Sequence, residues 1–103
     1  MLDRCINLLT PAIQASEHPV IVDATLGAGG HTEALLTKFP HVTVIGIDRD
    51  ADALASATNR LAPFANRLRT SHATFDHIAD VVASHGFTKI DGALFDLGVS
   101  SMQ

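Results

Sequence analysis

The sequence predicts an α/β fold, a parallel sheet with helices on both faces, and three observations predict it. Short, near-continuous apolar runs occur at VIVD (20–23), VTVIGID (42–48) and IDGALFDLG (90–98), as expected for strands buried on both sides. Between them lie stretches with apolar residues at helical spacing, so the order is helix, then strand and helix three times, then strand. Acids stand at three strand ends, Asp23, Asp48 and Asp96, where doubly wound sheets bind their ligands.

Taken in order, residues 2–9 (LDRCINLL) place Leu2, Cys5, Ile6 and Leu9 on one helical face, and Pro11 is expected to break that helix or restart it. Pro19 ends this leader. VIVD is a β-branched strand followed by the glycine cluster Gly27-Ala28-Gly29-Gly30. HTEALLTKF (31–39) reads as a helix with Ala34, Leu35 and Phe39 inward, stopped before Pro40. VTVIGID is the second strand. Asp50 N-caps a helix over 51–62, which Pro63 closes. LRTSHA (68–73) reads as a third strand and FDHIADVVASHG (75–86) as a helix with Ile78, Val81 and Val82 on one face and Gly86 as its stop. IDGALFDLG is the fourth strand, and a sheet that breaks off there without a covering helix is expected to be part of a larger protein.

A chain of 103 residues suffices for one small domain, and 47% hydrophobic with 17% charged residues suits a folded core. No apolar run approaches the roughly 20 residues of a membrane span, and no signal segment opens the chain. The single Cys5 cannot form an internal disulfide and reads as a buried thiol; an intracellular, cytoplasmic protein is expected. The net charge of −4 argues against a large phosphate-binding surface on this segment, and Arg60, Arg67 and Arg69 read as a solvated face. His18, His41, His72, His77 and His85 lack metal-ligand spacing, so no metal is expected.

The glycine cluster lets backbone approach a ligand where a Cβ would collide, and the helix beginning near His31 points free N–H groups into the same space. Asp48 stands 18 positions after Gly30, near the ~20 expected for an acid that accepts both ribose hydroxyls. A dinucleotide fingerprint needs a third glycine at position 32, where this chain has Thr32, and an acid so close to the loop repels a pyrophosphate. A nucleoside with a positive centre and no phosphates suits three acids better, and S-adenosylmethionine is such a molecule. Two other readings stay open: a nucleoside-binding module without chemistry, and half of an NAD-dependent oxidoreductase.

VDATLGAGGHTEALL, GIDRDADAL (46–54) and DGALFDLGVSSMQ (91–103), in this order and spacing, closely resemble the ribosomal small-subunit methyltransferase H family, also called MraW. The resemblance covers nearly the whole chain and about the first third of a family member. It implies a Rossmann-like class I methyltransferase fold, here reaching the fourth strand, with residues 1–103 as the N-terminal part of the domain. It implies S-adenosylmethionine-dependent methylation of a cytosine N4 amine in the decoding region of 16S rRNA, with the small ribosomal subunit as partner and no membrane. Carried over by residue, Gly29, Gly30 and His31 would line the cofactor loop, Asp48 would hold the ribose, and Phe75 would pack beside the adenine. Asp96 and Gln103 would close the site near the methionine end and the target base, while Asp23 and Gly27 shape the loop. Asp96, or the carbonyls after it, is the candidate acceptor for the amine proton, by analogy with DNA amino-methyltransferases; the catalytic base is otherwise unassigned. The RNA-gripping parts of the family lie beyond these residues, so this chain alone is expected to keep much of the cofactor pocket but not catalysis. Its oligomeric state is left open.

Overall fold

A computed structural model describes the backbone of residues 2–24, 30–87, 89–95 and 98–101, and the side chains of all of these except 2–6, 75, 95 and 98–101. The elements are α1 (Leu2–Gln14), β1 (Val20–Asp23), α2 (Gly30–Lys38), β2 (Thr43–Asp48), α3 (Ala51–Arg60), β3 (Leu68–His72), α4 (Ile78–Ser84), β4 (Gly92–Phe95) and β5 (Gly98–Ser101). A 3₁₀ region at Ala62–Arg67, kinked at Phe64, and a 3₁₀ segment at Phe75–His77 lead into β3 and α4.

The sheet order is β3-β2-β1-β4-β5. The first four strands are parallel, and β1 pairs with both β2 and β4. Side chains alternate across it as the period of a strand requires. Ile21, Val44 and Leu94 face Leu9 and Ile13 of α1 and Leu35 and Leu36 of α2. Val22, Ile45, Ile47 and Ala93 face Val81 and Val82 of α4. Helices therefore cover both faces, as the apolar runs predict. Each fully buried aliphatic side chain contributes about 1.5–3 kcal/mol, so the central strands carry much of the stability.

Three expectations need correction. Pro11 neither breaks nor restarts the first helix, because α1 runs through it to Gln14 and Ala15 N–H reaches the Pro11 carbonyl at 3.1 Å. The ring removes one helical donor, but Asn7, whose carbonyl loses its partner, is exposed to water, and Leu9, Ala12 and Ile13 anchor the helix in the core. The fourth strand stops at Phe95 rather than Gly98, and residues 98–101 return beside it as an antiparallel fifth strand, with Phe95 opposite Gly98 and Gly92 opposite Ser101. This hairpin occupies backbone donors and acceptors along one edge of β4. Nor are the arginines all a solvated face: Arg60 is exposed, but Arg67 is not. Arg67 is half-buried and donates to the carbonyls of Leu36 (2.8 Å), Phe39 (2.9 Å) and Val42 (3.2 Å). Arg60 pairs with Glu33 at 3.1 Å, and Arg69 donates to the Asn66 carbonyl at 3.2 Å.

The remaining helix ends follow local chemistry. Asp50 accepts from the N–H groups of Asp52 and Ala53, and Pro63 opens the 3₁₀ segment after α3. Gly86, at φ +86°, ends the α4 region in the left-handed conformation that favours glycine. Among the described residues no helix is long and apolar enough to cross a membrane.

Candidate functional site

In the order β3-β2-β1-β4, the chain winds outward from β1 in both directions, so the switch point lies between β1 and β4. Ligands of such sheets sit outside the carboxyl ends of the strands near that point. Four segments meet that edge: the end of β1 with the head of α2, the end of β2, the turn after β3, and the end of β4.

At the end of β1, Asp23 is fully buried. The equally buried Thr32 donates its hydroxyl to Asp23 Oδ2 at 2.6 Å, the short range of a hydroxyl-to-carboxyl bond. Ala24 N–H bonds the Leu94 carbonyl at 2.9 Å, tying the same strand end to β4. Sequence reasoning missed Thr32, which counted only as the residue where a third glycine fails to appear. No local signal marks it, because its partner lies nine positions away on another element.

Gly30 and His31 open α2, half-buried, with the helix N–H groups facing the sheet's carboxyl edge. A Cβ built on Gly30 would meet no protein atom within 4 Å, and its φ is not left-handed. Neither packing against the described residues nor backbone conformation asks for glycine at this position.

Asp23 pairs with Gly46 of β2, so Asp48 stands two residues further out along the carboxyl edge. Asp48 is half-buried, and its Oδ1 accepts Asp50 N–H at 2.9 Å, which fixes the carboxyl above the strand end. Beyond it, Ala73 N–H bonds the Asp48 carbonyl at 3.1 Å. His72 Nε2 lies 2.7 Å from the Arg49 carbonyl; since a carbonyl only accepts, that nitrogen carries the proton. The turns after β2 and β3 are thus joined, and Phe75 starts the 3₁₀ segment that follows. Its side chain lies outside the described ones. Next to it Asp76 accepts the Thr74 hydroxyl and its own backbone N–H, and those bonds hold its pKa below the usual carboxylate value.

Gly30, His31 and Asp48, with the backbone of Phe75, therefore share one edge of the sheet. Gly27, Gly29, Asp96 and Gln103 lie outside the described residues. Among those described, no group of three or more His, Cys, Asp or Glu could hold a metal ion. A cleft between Ala12, Ala15, Lys89 and Asp91 lies at the opposite, amino edge, where Asp91 Oδ2 accepts Val20 N–H at 2.8 Å. It is remote from the switch-point residues, and the carboxyl edge is the better candidate on topology.

Residues 1–103 match the MraW methylase family. The chain is 56% identical over 103 residues to the ribosomal RNA small subunit methyltransferase H of Kocuria rhizophila, covering 100% of this chain and 31% of that protein. The protein of the same name from Micrococcus luteus is 57% identical over 107 residues, with 100% and 32% covered. The chain thus spans about a third of the length of these curated relatives. Among solved structures, an rRNA methylase from Streptococcus thermophilus aligns with a TM-score of 0.66 at 20% identity, over 92% of this chain and 55% of that one. A Streptococcus mutans protein in complex with SAH aligns with a TM-score of 0.61 at 19% identity, over 92% and 52%. At such identities these two show a common fold.

Proposed function

Because the chain belongs to the MraW methylase family, we propose that it supplies the S-adenosylmethionine-binding, N-terminal part of a methyltransferase domain acting on small-subunit rRNA. The finer reading is methylation of a cytosine N4 amine in the decoding region of 16S rRNA, in a cytoplasmic enzyme that meets its substrate on the small ribosomal subunit. The observation that carries it is the placement of Gly30, His31 and Asp48 along one sheet edge, in a chain matched to the family from end to end. The names of the relatives, rRNA methyltransferases, support the substrate class.

The residues present fit the cofactor. The open space at Gly30 admits a ligand against the α2 backbone. Asp48 can accept from ribose hydroxyls, and Phe75 is proposed for the adenine on the family resemblance. Asp96 and Gln103 are proposed for the methionine end and the target base. S-adenosylmethionine, when bound, supplies an activated methyl group on a sulfonium. A cytosine amine is a weak nucleophile because its lone pair is delocalised into the ring. Asp96, or a carbonyl after it, accepting an amine hydrogen would localise that pair, and the protein's contribution is then position and electrostatics.

Calorimetry of this chain with S-adenosylmethionine and with NAD tests the cofactor; binding of the first and not the second is expected, and the reverse selects an oxidoreductase. Transfer of labelled methyl to small subunits by the full-length protein, with the product nucleoside identified by mass spectrometry, tests the rest. N4-methylcytidine is the expected product, and methylation of any other atom rejects the finer reading. Binding without transfer by the full-length protein indicates a non-catalytic module. Residues 1–103 alone are expected to bind cofactor without methylating rRNA.

A further inference from the structure

We propose that Thr32 is a positioning residue for the cofactor: its hydroxyl, bonded to Asp23, fixes the head of α2, and with it Gly30 and His31, against the end of β1. The inference rests on the S-adenosylmethionine reading above. Both members of the pair are fully buried, and the bond joins residues nine positions apart on two elements. A core position of this size is filled as well by valine, which has threonine's shape without a polar group to desolvate. Replacing a buried polar pair by apolar groups is often nearly neutral, so packing alone does not explain a threonine and an aspartate here.

The rest of α2 is held by other means. Leu35 and Leu36 sit in the core, and Arg67 grips the carbonyls of Leu36, Phe39 and Val42 at the far end. At the head, the Glu33–Arg60 pair is exposed and compliant. The Thr32–Asp23 bond is directional, and threonine's branched Cβ restricts its χ1, so it sets the helix head's angle as well as its distance. Gly30 and His31, immediately before it, inherit that geometry. A small rotation of α2 about its anchored far end would move their N–H groups relative to Asp48.

The test is calorimetric affinity for S-adenosylhomocysteine, measured well below the unfolding temperature, with thermal unfolding followed in parallel. Thr32→Val is expected to weaken binding at least about tenfold. Thr32→Ser, which keeps the hydroxyl, is expected to stay within about threefold of the parent. Val82→Ala, a core change on the opposite face, is expected to lower the unfolding temperature and leave affinity unchanged. Equal affinity in Thr32→Val, or a tenfold loss in Thr32→Ser, overturns the proposal. If Thr32→Val does not fold, Thr32→Ala takes its place: it likewise removes the hydroxyl that bonds Asp23, so a loss of about tenfold relative to Thr32→Ser supports the role and an unchanged affinity rejects it. A parent protein that binds no S-adenosylhomocysteine refutes the cofactor reading instead, which keeps the two failures apart.

Discussion

Arg67→Met should destabilise the fold far more than a surface arginine does. The parent guanidinium donates at 2.8, 2.9 and 3.2 Å to the carbonyls of Leu36, Phe39 and Val42 and lies 5.6 Å from the centre of the Phe64 ring. Those carbonyls belong to the last turn of α2, the residue after it and the approach to β2, where a helix leaves acceptors unmet. Hydrogen bonds from a charged donor contribute about 1.5–3 kcal/mol each, and partial access of water brings these nearer about 1. Methionine keeps the apolar stem over Phe64 but loses the cation–π contact, worth about 0.5–1 kcal/mol. The total is about 3.5–4 kcal/mol. At about 4–8 °C per kcal/mol for a domain near this size, the unfolding temperature falls by about 10 °C or more. Urea unfolding followed by circular dichroism, at low and high salt, measures it. A loss under about 1 kcal/mol, or one that disappears in high salt, refutes the reasoning, because an exposed charge is screened and this one is half enclosed.

Gly30→Ala should leave stability within about 0.5 kcal/mol of the parent, or raise it through helix propensity, since a Cβ there touches nothing. Its affinity for S-adenosylhomocysteine should nevertheless fall at least about tenfold by calorimetry; an unchanged affinity removes the ligand from that space. Asp48→Asn should weaken binding by about 1–3 kcal/mol, and the parent's preference for the ligand over its 2′-deoxy analogue should vanish in the variant. Thr74→Val should lower stability at neutral pH by removing the bond that depresses the Asp76 pKa. A carboxyl with a depressed folded pKa stabilises above its unfolded value, near 3.9, and that contribution is lost as pH falls through the folded value. Parent and variant unfolding curves should therefore converge in acid, and a difference that persists below about pH 2 contradicts the assignment.

Much of the architecture is written locally. VIVD and VTVIGID have only one good use, as strands buried on both faces, and helix ends are marked by residues whose chemistry acts where they stand: Pro40, Pro63 and Gly86 at or beyond ends, Asp50 at a start. The residues of the candidate site are legible for the same reason, because GAGGH and the acid at the end of the next strand lie close together along the chain. Pro11 misleads because its local effect is overridden by the burial of Leu9, Ala12 and Ile13. The fourth strand reads as running to Gly98, yet residues 98–101 pair antiparallel with it, since pairing with an open strand edge depends on which edge is free.

What the sequence by itself determines is therefore the fold class, the order of the elements as far as the fourth strand and the identity of the candidate residues at the carboxyl edge. The tertiary structure decides what holds them. Thr32, which in the sequence is merely a glycine that fails to appear, becomes the partner of Asp23, and Arg67, which looks like surface charge, becomes the anchor of α2. The physical reason is the same in both cases. Periodicity, caps and turns act within a few residues, whereas a buried hydrogen bond is specified by two residues whose separation along the chain says nothing until the elements between them have packed.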